Sequence, residues 1–165
     1  MRTTILTLFI FALLIVRSNS LDHAYSELSF ELLDHKPVVE VTLNGRPATF
    51  MLDTGSDLTL VDASAARSFG FKLHDVAGNG GKVAGIGGQK QSIQLATQVD
   101  LKVGGKSIFA SFAGTRLSHM NAYFHTKGKK PLIGIIGADA MQLYGFVIDY
   151  ESNTVLFGKP GESAN

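Results

Sequence analysis

Apolar and polar residues alternate along much of this chain. Val39, Val41 and Leu43 alternate with Glu40 and Thr42; Val99, Leu101 and Val103 with Asp100 and Lys102; Phe146, Ile148 and Tyr150 with Val147 and Asp149. A period of two sends successive side chains to opposite faces, so each run predicts a strand with one face on a core. The pairs Asn44-Gly45, Gly104-Gly105 and Ser152-Asn153 predict tight antiparallel turns between such strands. Helical signals are confined to residues 63–69, closed by Gly70, and a short stretch from 138 to about 143, closed by Gly145. Residues 114–131 gather Arg116, Lys127, Lys129 and Lys130 with His119 and His125, and read as a solvated basic loop in which Tyr123 and Phe124 are packed or dimer-facing aromatics. The pattern predicts an all-β fold of mostly antiparallel strands with one or two short helices.

The N-terminus departs from this alternation. Residues 5–16 form an apolar run broken only by Thr7, preceded by Arg2 and followed by Ser18-Asn19-Ser20. The run is shorter than the ~20 apolar residues that span a bilayer, and small residues stand at −3 and −1 of a cleavage point before Leu21. Residues 1–20 are therefore expected to be a signal peptide, which makes the protein periplasmic or secreted. Arg17, directly after the run, keeps open an uncleaved N-terminal anchor, the one route by which a membrane would be involved. Residues 21–165 carry no repeat, low-complexity tract or long linker and form one domain.

Composition narrows the chemistry. The 165 residues hold 15 Lys plus Arg against 14 Asp plus Glu, a net charge of +1, which lacks the basic excess of a nucleic-acid-binding domain. With no cysteine, a disulfide framework, a thiolate metal site and a thiol nucleophile are all excluded. The histidines lack metal-ligand spacing, and no Gly-x-Ser-x-Gly elbow occurs. Neither metal nor cofactor is expected.

One segment sets an acid between two apolar strands: Phe50-Met51-Leu52-Asp53-Thr54-Gly55-Ser56-Asp57-Leu58-Thr59-Leu60-Val61. A carboxylate leaving a buried strand is costly unless donors surround it or a partner shares its proton. Thr54 and Gly55 suit that need, because Gly permits a sharp turn with backbone N–H groups facing the acid and the Thr hydroxyl both donates and accepts. Taken alone, Asp-Thr-Gly reads first as an Asx turn that ends a strand; the apolar residues before it and Ser-Asp-Leu-Thr-Leu-Val after it make the match more specific. Val83-Ala84-Gly85-Ile86-Gly87-Gly88-Gln89 is a second unusual segment. It does not read as a phosphate loop, because strand-like residues follow it where a helix would be required.

Three pieces in order resemble the retropepsin-like aspartic proteases: the Asp-Thr-Gly-Ser loop, the glycine-rich residues 83–89, and Leu132-Ile133-Gly134-Ile135-Ile136-Gly137-Ala138-Asp139. Residues 146–157 are similar to the closing hairpin of that family. The resemblance implies an acid-protease-like closed β-barrel with a flap hairpin whose tip is Gly85, Ile86, Gly87 and Gly88. It implies catalysis by Asp53 with Thr54 and Gly55, Thr54 taking a cross-subunit hydrogen-bond role, and a peptide or protein substrate lying extended between flap and floor. Leu58, Ile86 and Ile136 are then expected as apolar walls. Ala138 stands where many retroviral relatives carry an arginine, so an ion pair between subunits is missing there. Asp57 adds a charge where a small neutral residue is frequent, and is expected to face solvent.

Hydrolysis of an amide without metal or covalent intermediate needs two carboxylates sharing one proton. The chain has one Asp-Thr-Gly. A symmetric homodimer with Asp53 of each subunit at the two-fold axis meets the requirement. The expectation is an exported, homodimeric aspartic endopeptidase; the rival is a catalytically inactive dimeric peptide-binding module on the same fold.

Overall fold

A computed structural model describes residues 25–76, 82–84 and 90–158. The proposed leader, residues 1–20, and the flap tip, residues 85–89, lie outside the described residues. The strands are β1 (Tyr25–Ser29), β2 (Glu31–Leu33), β3 (Lys36–Leu43), β4 (Arg46–Leu52), β5 (Leu60–Asp62), β6 (Lys72–Asp75), β7 (Lys82–Ala84), β8 (Lys90–Ser92), β9 (Gln94–Thr97), β10 (Leu101–Val103), β11 (Lys106–Ile108), β12 (Ala113–Thr115), β13 (Leu132–Ile136), β14 (Val147–Asp149) and β15 (Thr154–Gly158). Among the described residues three helices are interspersed, α1 (Ala66–Phe69), entered through a 3-10 turn at Ala63–Ala65, α2 (Ser118–Thr126) and α3 (Ala138–Tyr144). The fold is all-β, as the alternation predicts.

The main sheet runs β11-β10-β3-β4-β13-β5-β12-β9-β6, with β2 on β3; a smaller sheet is β1-β15-β14, and β7 pairs with β8. Among the described residues these pairings trace a path rather than a closed ring. Most are antiparallel; β13 on β4 and β12 on β5 are parallel. The β3–β4 hairpin turns through Asn44 (φ 48°) and Gly45 (φ 78°) with Leu43 opposite Arg46, the two-residue loop whose twist matches the strands. Asp34 and His35 make an equivalent turn between β2 and β3 without any glycine, both at positive φ.

The buried apolar residues divide into two clusters. The larger holds Val39, Val41, Leu43, Phe50, Leu52, Val61, Ile136 and Phe157. The smaller holds Leu33, Met51, Leu60, Ala113, Leu117, Phe124, Leu132 and Ile135. Alternation produces the division: on β4, β5 and β13, neighbouring residues Met51/Leu52, Leu60/Val61 and Ile135/Ile136 point to opposite faces.

The smaller cluster is roofed by α2, which corrects the reading of residues 114–131 as a solvated basic loop. Leu117, Met120 and Phe124 fall on one helical face and pack on the cluster, with Phe124 buried and Tyr123 largely exposed. Asn121 fixes the helix to the sheet: its side chain accepts from the Leu132 N–H (2.6 Å) and donates to the Leu132 carbonyl (3.0 Å). The basic character lies on the connector that follows, where Lys127, Lys129 and Lys130 pair with Asp34, Glu31 and Glu40 on β2, β3 and their turn. Exposed pairs of this kind contribute little each, and they orient the connector more than they stabilise it.

Candidate active site

The Asp53 loop leaves β4 while the ladder with β13 still holds. The Asp53 N–H donates to the Ile136 carbonyl (3.1 Å), one step beyond the Leu52–Ile136 register pair. The chain then turns: the Gly55 N–H donates to Asp53 Oδ1 (2.9 Å) and the Ser56 N–H to the Asp53 carbonyl (3.1 Å). The Asx turn expected of Asp-Thr-Gly is therefore present, and it leaves the Asp53 side chain at the end of β4. Asp53 is half-buried, and Thr54, Gly55 and Asp57 are exposed.

A zipper of hydrogen bonds joins this loop to the end of β13 and the start of α3. The Ala138 N–H donates to the Ser56 carbonyl (2.7 Å), and the Gly137 N–H donates to Thr59 Oγ1 (3.2 Å). The Thr59 hydroxyl in turn donates to Asp139 Oδ1 (2.6 Å). Thr59 is fully buried, so its hydroxyl requires the partners it has found. Gly137 must be glycine because a Cβ there would run into the backbone carbonyls of Leu58 and Ser56. The two segments therefore approach at backbone distance, and the height of the Asp53 loop is set by residues 80 positions away in sequence. Thr59 and Asp139 were missed as site-building residues. The available signal was the hydroxyl and the acid at the inner ends of two motifs that the fold presses together.

The remaining expected site residues distribute unevenly. Leu58 is half-buried and packs on the smaller cluster, on the face that Met51 shares. Ile136 is fully buried in the larger cluster, which corrects its expected place on an apolar wall: strand alternation turns it away, and its neighbour Ile135 faces the smaller cluster instead. Gly85, Ile86, Gly87 and Gly88 lie outside the described residues, although β7 and β8 form the antiparallel base of the hairpin that carries them. Among the described residues no group of His, Asp and Glu is arranged to hold a metal ion, and no helix is long and apolar enough to cross a membrane.

The family profile described as "Aspartyl protease" matches residues 39–140, from β3 through the Asp53 loop to α3. The chain belongs to the aspartyl protease family. No curated protein matches this aspartyl protease. Among solved structures, it is similar to a retropepsin-like aspartic protease from Rickettsia conorii (18% identity, 82% of this chain and 92% of that one, TM-score 0.51). It is also similar to the EIAV protease complexed with the inhibitor HBY-793 (19% identity, 68% and 90%, TM-score 0.49) and to the retroviral protease-like domain of Ddi1 from Leishmania major (16%, 76% and 96%, TM-score 0.46). The fold this chain shares with the Rickettsia conorii structure is the mostly-β fold that its alternation predicts.

Proposed function

We propose that this aspartyl protease is an endopeptidase active as a symmetric homodimer, in which water is activated between Asp53 of one protomer and Asp53 of its partner. The observation that carries the reading is the open side of the Asp53 loop: in a chain with one Asp-Thr-Gly, Thr54 and Gly55 are exposed beside a half-buried carboxyl. One carboxylate of the pair takes a proton from water as it attacks the peptide carbonyl carbon, and the other donates a proton to the carbonyl oxygen. A two-fold axis at the loop supplies the second acid and covers Thr54 and Gly55 at once. The substrate is an extended peptide or protein segment held by backbone hydrogen bonds in the manner of an added strand, with the hairpin above β7 and β8 closing over it. Export through residues 1–20, to the periplasm or beyond, belongs to the same proposal.

The test is activity against concentration. Cleavage of a fluorogenic peptide library is expected to fall on dilution in step with dimer dissociation measured by sedimentation, and to be blocked by a statine-type mimic of the tetrahedral intermediate. A fully active monomer overturns the dimer. Binding of statine peptides without any cleavage across a pH series makes the protein the peptide-binding module instead.

A further inference from the structure

We infer that α2 sets the substrate preference: Met120, together with Leu58 and Ile93, forms the apolar wall that receives a medium-sized apolar side chain of the peptide beside the bond hydrolysed at Asp53. The inference rests on the peptide-binding site proposed above.

The face on which Asp53 stands decides the matter. The β4–β13 ladder continues to the Asp53 N–H, so strand alternation continues with it, and Asp53 follows Met51 rather than Leu52. Met51 belongs to the smaller cluster, as do Leu60 and Ile135 on the two strands that flank the loop. The floor on the Asp53 side is therefore this cluster and not the larger core.

Most of that floor is closed, because α2 lies on it and leaves Met51, Leu60 and Ile135 buried. What stays accessible is its rim. Val38, Leu58, Ile93 and Met120 are half-buried hydrophobic residues packed against the cluster, each from a different element, with Val38 on β3 opposite Met51 and the other three by the loop, at the hairpin base and on α2. Leu58 follows the Asp53 loop, Ile93 follows β8 at the base of the flap hairpin, and Met120 projects from α2. A peptide held between the loop and the hairpin meets all three. Methionine suits a wall that must fit several apolar partners, since it is unbranched and polarizable.

The experiment compares wild type, Met120→Ala, Met120→Phe, Ile93→Ala and, on the outer surface of α2, His125→Ala. Two readouts are taken for peptides in which the residue before the scissile position runs through Ala, Val, Leu, Met and Phe: kcat/KM for cleavage, and affinity of the corresponding uncleavable statine peptides. Wild type is expected to favour Leu or Met. Met120→Ala and Ile93→Ala are expected to shift the preference toward Phe, and Met120→Phe toward Ala and Val, each by roughly tenfold, as for one or two methylenes in an apolar pocket; His125→Ala is expected to leave the order unchanged. Cleavage with the same preference in every variant overturns the inference and leaves the protease reading intact. Statine affinities that follow Met120 without cleavage support the inference and overturn catalysis, and peptides neither bound nor cut overturn both.

Discussion

Asp53 and Asp62 are carboxyl residues bracketing the same short stretch of chain, and the fold treats them oppositely. Asp62, at the end of β5, is buried and accepts from four donors: the Ser64 N–H (3.1 Å), the Ser64 hydroxyl (2.7 Å), the Leu117 N–H (3.3 Å) and the Asn121 amide (3.3 Å). Asp53 is half-buried and accepts from the Gly55 N–H, with its loop open to solvent. The difference separates a fastening from the acid to which the proposed function gives the chemistry. A carboxyl whose lone pairs are all engaged holds α2 and the 3-10 turn in place, whereas one left with free acceptor positions on an open side has room for a water and a second acid.

The sharpest way to break the comparison is to remove each acid in turn. Asp53→Asn is expected to lower kcat/KM by roughly 10²–10⁴-fold while leaving the urea midpoint nearly unchanged, since the amide oxygen still accepts from Gly55. Asp62→Ala should do the reverse. Stranding the Leu117 N–H and the Asn121 amide costs about 1–3 kcal/mol, read as a lower urea midpoint with an unchanged slope, and residual activity should track the folded fraction. Equal loss of activity at unchanged stability in both variants would erase the distinction.

A smaller effect sharpens the contrast from the positioning side. Thr59→Val keeps the volume but orphans the Gly137 N–H and removes one of the two donors to Asp139 Oδ1, the Ala140 N–H remaining; a loss of about 1–2 kcal/mol is expected, with kcat falling more than KM rises because the Asp53 loop loses one of its tethers. Thr59→Ser should restore both. The smallest effect belongs to the exposed Lys129–Glu31 pair. The Lys129 hydrogen bond and charge hold the Glu31 carboxyl below its usual range, so whatever stability the pair contributes is complete above the ordinary carboxylate titration and is lost as pH falls through the depressed folded value. Glu31→Gln should accordingly lower the melting temperature slightly at neutral pH and make no difference at strongly acid pH.

The alternation of Val39, Val41 and Leu43 predicted β3, and Asn44-Gly45 predicted its turn, because both depend on local geometry that the residues themselves impose. The closures at Gly70 and Gly145 were visible for the same reason. Helix α2 was hidden. Ser118, His119, Asn121 and Tyr123 are indifferent helix formers, and only the spacing of Leu117, Met120 and Phe124 betrayed a buried face within a segment dominated by lysines. Ile136 was misassigned to a wall because an apolar run such as Leu132-Ile133-Gly134-Ile135-Ile136 does not declare which residues face which side.

What the sequence determined by itself was the Asp-Thr-Gly turn and the family, since Asp53-Thr54-Gly55 carries its own turn and its own donor within a few residues. What only tertiary structure decided was the setting of that loop. Thr59 meets Gly137 and Asp139 through a close approach of distant segments, and α2 closes one face of the floor by fastening Asn121 to β13 and Asp62. Those contacts depend on register and side-chain direction across the sheet. Burial energy fixes both for the assembled fold, and no local stretch of sequence can specify them alone.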